Sequence, residues 1–210
     1  MKYIVILGDG MADEPMDLLG GKTPMECADT PTMDAMACAG RMGMVQNVPS
    51  GMAPGSDVAN LSVLGYDPAR SYSGRSPLEA LSVGVDMEED DVIFRANIVT
   101  LTEEEPYPEK TILDHSSGEI STRDADVLMD TIRQNFQSER IRFYTGTSYR
   151  HIMVWKQGKV VPLEPPHDHL GTKIGPWLPG EPMLKKLMEE SFPLLNSHPL
   201  NVERAKAGKN

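Results

Sequence analysis

The run Tyr3-Ile4-Val5-Ile6-Leu7, closed by Gly8-Asp9-Gly10, constrains the fold more than any other stretch of the chain. A short, unbroken apolar run reads as a strand buried on both faces, as in the middle of a parallel sheet, and predicts an α/β protein. Open α/β sheets place their ligands at the carboxyl ends of such strands. Asp9 stands there between two glycines, with a hard carboxylate ligand suited to a divalent cation. An Asx-turn closing a strand is the plainer alternative.

A second segment, residues 54–68, adds a nucleophile. Pro54-Gly55 forces a turn, and Ser56 is expected to cap a helix whose apolar stripe is Val58, Leu61 and Leu64, ended by Gly65 and Pro68. A hydroxyl at a helix N-terminus sits among unpaired N–H groups and the positive end of the dipole, a place for a phosphate or for a serine that receives one. Alternatively, Ser56 is only a cap.

Six motifs follow one another in order: Leu7-Gly8-Asp9-Gly10-Met11, Gly21-Lys22-Thr23-Pro24-Met25-Glu26, Thr30-Pro31-Thr32-Met33-Asp34, Pro54-Gly55-Ser56-Asp57-Val58-Ala59-Asn60, Leu64-Gly65-Tyr66-Asp67-Pro68 and Gly74-Arg75-Ser76-Pro77-Leu78-Glu79-Ala80. The series resembles the archaeal-type, cofactor-independent phosphoglycerate mutases of the alkaline phosphatase superfamily, a branch whose bacterial members have also been labelled homoserine kinases. The resemblance is densest over residues 1–100. It implies part of an alkaline-phosphatase-like parallel-sheet core over residues 1–90, followed by an inserted α+β substrate or lid domain over residues 91–205. It further implies interconversion of 3-phosphoglycerate and 2-phosphoglycerate in glycolysis, through a phosphoserine on Ser56. Two divalent metal ions, Mn²⁺ or Mg²⁺ with Zn²⁺ as a further candidate, would bind Asp9 and Ser56. Asp114 is the implied general acid/base, and Arg95, Asn97, Arg150 and His151 the implied substrate ligands. An arginine fork suits a carboxylate.

The sequence also departs from the family. The Asp-Gly-Asp-His type stretch that supplies further metal ligands is missing, so the chain reads as an N-terminal part, expected to be inactive alone. His115 stands where relatives often carry a basic residue after the Asp. His167-Asp168-His169 has a spacing compatible with metal binding, but reads more readily as a solvated, proline-rich loop. Competing readings are a metal-dependent phosphatase, a homoserine kinase, or a truncated, non-catalytic chain. Gly21-Lys22-Thr23 lacks P-loop spacing, and no kinase glycine loop is present, which weighs against an ATP site.

The formal net charge of -11 over 210 residues excludes a nucleic-acid binder in the usual sense and demands a local basic patch for any anionic substrate. Two cysteines, Cys27 and Cys38, make no disulfide framework and are expected as reduced, structural thiols. No apolar run reaches membrane-spanning length, and the cytoplasm is the expected compartment. Helices are predicted over 31–40, 77–81, 123–135 (capped by Thr122, with Ala125, Leu128, Met129 and Ile132 inward) and 184–188. Strands are predicted over 1–9, 43–48, 93–100, 112–114, 141–145, 151–156 and 159–163, with an acidic change of domain near residue 90.

Overall fold

Ala125, Leu128, Met129 and Ile132 recur on one helical face, and the 15-residue helix they define packs on the sheet. The computed structural model describes residues 2–209. In chain order its helices are α1 (Pro24–Cys27), α2 (Pro31–Ala39), α3 (Ser56–Val63), α4 (Pro68–Ser71), α5 (Arg75–Ser82), α6 (Thr122–Phe136), α7 (Pro182–Asn196) and α8 (Pro199–Lys206). Its strands are β1 (Asp91–Asn97), β2 (Thr100–Leu101), β3 (Ile112–Asp114), β4 (Ile141–Tyr144) and β5 (Arg150–Lys156). This is a mixed α/β arrangement whose described sheets are small and antiparallel.

The principal sheet has the order β1-β5-β4, and β2 pairs separately with β3. The central strand β5 buries His151 through Trp155 without a break, because helices cover both of its faces. On one face Phe94, Met153, Phe143 and Trp155 meet Met129 and Ile132 of α6 and Leu184 of α7. On the other, Ile152 and Val154 meet Ala80 of α5 and Val85. Ser121, not Thr122, caps α6, its side chain accepting from Asp124 N–H at 3.1 Å. Helix α7 runs well past the predicted 184–188, and α8 follows it unanticipated.

The strand predicted over 1–9 is absent among the described residues. Residues 2–8 belong to no strand, and Tyr3, Ile4 and Ile6 are each 85% exposed. A doubly buried strand needs strand neighbours on both edges and packing on both faces, and no described strand pairs with this exposed run. Residues 43–48 are likewise unpaired. Nor do residues 159–163 form a strand, because β1 and β4 already occupy both edges of β5. The strand predicted over 93–100 divides into β1 and β2.

Several recurrent motifs prove to be local architecture. Thr23 and Glu26 form a reciprocal capping box at α1, with Thr23 N–H donating to Glu26 at 2.8 Å and Glu26 N–H donating to Thr23 at 3.2 Å. Asp67 caps α4, with Pro68 at its first position. Gly74, at φ 122°, enters α5 through a conformation that side chains resist. Cys27 and Cys38 are free and exposed, so they pack no core.

Candidate functional site

Ser56 is exposed at the first helical residue of α3, with Gly55, not Ser56, at the cap position in extended conformation. Its hydroxyl therefore stands at the rim of the first turn, among N–H groups that have no partner within the helix. The next residue is fixed: Asp57 accepts the Tyr72 hydroxyl in a short hydrogen bond and the Val58 N–H at 3.0 Å. The Tyr72 bond holds the Asp57 carboxyl below its ordinary range against the opposing effect of burial. Burial, and then the bond to Asp57, push Tyr72 up to about 12.

Asp9 lies in an exposed turn. Among the described residues no group of three or more His, Cys, Asp or Glu side chains is placed to hold a metal ion. Asp9 and Ser56 together give one carboxylate and one hydroxyl, far short of the roughly six oxygens that Mg²⁺ or Mn²⁺ gathers. The described residues thus do not by themselves fit a two-metal centre. His167 and His169 also stay apart: His169 stacks on Trp177 at 3.7 Å, while His167 lies 6.1 Å from His115 between ring centroids.

The predicted substrate residues spread over three places. Register pairs Asn97 with Arg150 and Arg95 with Ile152, so all three polar side chains belong to the α5 face of the sheet. His151, paired with Ala96, belongs to the α6 face. It is 1% exposed, and burial first, then the Arg133 charge, lower it to about 4, so it is neutral at pH 7. Its Nδ1 accepts from Gly146 N–H at 3.3 Å, which puts the proton on Nε2, and Nε2 has no partner. A cleft of about 1500 Å³ runs along the open edge of β1, and Arg75, Arg95, Asn97, Ser117, His151 and His167 line it. Arg95 and His151 thus reach one cleft from opposite faces.

Asp114 and Arg150 flank a second cluster. The Asp114 carboxylate accepts Ser116 N–H at 2.7 Å, the Ser116 hydroxyl at 2.8 Å and Gly118 N–H at 2.7 Å. Burial raises its pKa, but these donors outweigh burial and hold it below the ordinary value. Of roughly four acceptor positions on a carboxylate, three are used. The turn it holds is strained, with Ser117 at φ 49° and Glu119 at φ 50°. Ser148, at φ 56°, ties the facing loop to it, its hydroxyl donating to Ile120 O at 2.7 Å and its N–H to Thr122 Oγ1 at 3.0 Å. In that loop a Cβ on Gly146 would lie 2.2 Å from Arg150 O, so no other residue fits. Arg204, from α8, donates to Ser117 O at 2.8 Å. Between the loops, His115 meets Tyr149 edge-on at 5.5 Å, and Arg150 lies over the same ring at 5.2 Å.

Tyr72, Tyr149 and Arg204 were not singled out from the sequence. Tyr72 carried a usable signal, a tyrosine just ahead of the Gly74-Arg75 helix start. The role of Arg204 depends on a helix 87 residues from its partner and had none.

A family profile described as 2,3-bisphosphoglycerate-independent phosphoglycerate mutase matches residues 37–201. The chain belongs to this family. Among curated relatives, a probable mutase of that description from Geobacter sulfurreducens is 50% identical over 214 residues, covering 100% of this chain and 53% of the relative. The mutase of Methanosarcina barkeri is 46% identical, covering 100% of the chain and 52% of the relative. The chain therefore spans about half the length of the curated relatives it matches. The solved structure of a Pyrococcus horikoshii protein aligns with a TM-score of 0.63 at 31% identity, covering 96% of this chain and 46% of that one. The mutase family thus unites the Ser56 segment with the Arg95 sheet in one polypeptide.

Proposed function

We propose that this chain supplies the phosphoryl-accepting serine and the substrate-gripping domain of a cytoplasmic enzyme that interconverts 3-phosphoglycerate and 2-phosphoglycerate in glycolysis. The observation that carries this reading is the exposed Ser56 at the first turn of α3, next to an Asp57 locked by Tyr72, in a member of the mutase family.

In the proposed reaction the Ser56 oxygen attacks the phosphorus of 3-phosphoglycerate. The Ser56 hydroxyl loses its proton as the bond to the 3-oxygen breaks, and the 3-oxygen takes up a proton as glycerate forms. Glycerate stays in place and reorients, and its 2-hydroxyl attacks the phosphoserine, freeing Ser56. Arg95 and Arg150 bind the anionic groups as guanidinium forks, and Asn97 orients a hydroxyl. Asp114, with one acceptor position left, takes the hydroxyl proton. The neutral His151 donates its Nε2–H into the cleft. Exclusion of water separates a mutase from a phosphatase, since open phosphoserine hydrolyses.

We also assign residues 1–90 to part of an alkaline-phosphatase-like core and residues 91–205 to the substrate domain, with α5 riding on the sheet across that boundary. In the core, the run Tyr3–Leu7 would become a central parallel strand when chain beyond these residues pairs with it, and two divalent ions would take their remaining oxygen ligands there. No helix among the described residues is long and apolar enough to cross a membrane.

The test uses the full-length protein with 3-phosphoglycerate. Ser56→Ala is expected to abolish turnover by orders of magnitude with folding retained, while Ser62→Ala keeps substantial activity. Enzyme quenched with substrate should carry phosphate on Ser56 by mass spectrometry. An active Ser56→Ala enzyme would overturn the assignment.

A further inference from the structure

Four charged side chains of alternating sign lead from the Ser56 turn to the sheet: Asp57, Arg75, Glu79 and Arg95. Tyr72, three residues before Arg75, donates its hydroxyl to Asp57, and the nearby Arg75 charge acts to lower the pKa of both. Its Nε donates to Glu79 Oε1 at 2.9 Å. The same Glu79 oxygen lies 3.6 Å from Nη1 of Arg95, and both side chains of that pair are only about a quarter exposed, at 25% and 23%. A pair so sheltered is screened less than one on open surface. One carboxylate oxygen thus serves two guanidinium groups, one on its own helix and one on β1.

Arg95 Nε is shielded from solvent and has no hydrogen-bond partner. A buried N–H without an acceptor is costly, and a ligand oxygen that accepts from it removes that cost. A guanidinium is a rigid planar fork, so holding Nη1 on Glu79 leaves the edge formed by Nε and Nη2, which matches both oxygens of a carboxylate. Arg95 also lines the cleft along β1. We propose that Glu79 is a positioning residue, which from α5 holds the Arg95 guanidinium in register with the Ser56 turn so that its Nε edge grips the carboxylate of a small phosphorylated acid. The serine that takes the phosphoryl group and the arginine that holds the acid are then spaced by one helix. A one-turn shift of α5 would misplace one against the other.

The proposal rests on the mutase reading, and two readouts keep the two apart. In the 210-residue chain, the Arg95 Nε proton, identified by its loss in Arg95→Lys, is expected as a slowly exchanging resonance. Glu79→Ala should remove it, and Glu79→Gln, which keeps an acceptor oxygen, should retain it. In the full-length protein, Glu79→Ala is expected to raise KM for 3-phosphoglycerate about tenfold while kcat changes little, with Glu79→Gln in between. A merely structural role would lower Tm and leave the KM of the folded enzyme alone. An unchanged KM in Glu79→Ala overturns the proposal, as does an Arg95 proton indifferent to Glu79. Should Glu79→Ala fail to fold, the KM of Glu79→Gln decides by the same criterion. A wild-type protein without turnover counts against the mutase reading alone, and the proton signal then decides the proposal.

Discussion

Between Lys2 and Ser73 the described chain buries only Val58 and Pro68, whereas β5 alone buries five consecutive residues, His151 to Trp155. Yet the first region holds five of the six motifs by which the family is recognised, and the second is the looser in motif. Motif density and core packing therefore report different things. The N-terminal motifs specify turns and exposed chemical groups: the Thr23–Glu26 capping box, the Asp67 cap, the Ser56 rim. The later region specifies apolar faces, where many hydrophobic residues serve equally well.

Paired apolar substitutions should break this comparison most sharply. Leu128→Ala removes a fully buried side chain between α6 and its neighbours and is expected to cost about 2–5 kcal/mol in denaturant unfolding. Ile6→Ala, at an 85% exposed position, should stay within about 0.5 kcal/mol in the same chain. Equal losses would show that residues 2–8 are packed after all.

Mild acid, between pH 6.5 and 4, should act on the second region through His151. The folded-state pKa of His151, at about 4, lies below its ordinary 6.5, so the unfolded chain binds the proton more readily. Stability from this group is complete above pH 6.5 and is lost as pH falls from there towards 4, by about 3 kcal/mol. His151→Gln should flatten unfolding free energy over that window. An unaltered pH profile would mean that the imidazole is hydrated in the folded protein.

A small, local loss belongs to the capping box of the N-terminal region. Thr23→Ala deletes one half of a capping box on a four-residue helix and should cost about 1 kcal/mol locally. Faster amide exchange at Glu26 with an unchanged global Tm is the expected signature.

Where sequence and structure agree, a periodic apolar face was present to be read. Ala125, Leu128, Met129 and Ile132 set α6 within a residue at each end, and the strands β3, β4 and β5 fall close to their predicted spans. The failure at Tyr3–Leu7 has the same origin. An apolar run states what a segment would bury, and no strand of the described residues pairs with it. Cap positions slipped by one, at Gly55 for Ser56 and Ser121 for Thr122, because adjacent polar residues compete for one geometry. At the candidate site the sequence motifs named Ser56 but could not place Arg95 and His151 on opposite faces, since that depends on strand register. The left-handed Ser117, Glu119 and Ser148 were illegible because contacts from distant elements, Arg204 and Thr122 among them, impose their backbone angles.

Hydrogen exchange across the 210-residue chain tests the central contrast most directly. Peptides covering 125–132 and 151–156 are expected to exchange orders of magnitude more slowly than those covering 2–8 and 42–48, which should exchange at nearly unstructured rates. The 2–8 peptides should gain protection in the full-length protein. Protection of residues 2–8 equal to that of β5, in a monomer of the 210-residue chain, would contradict the account.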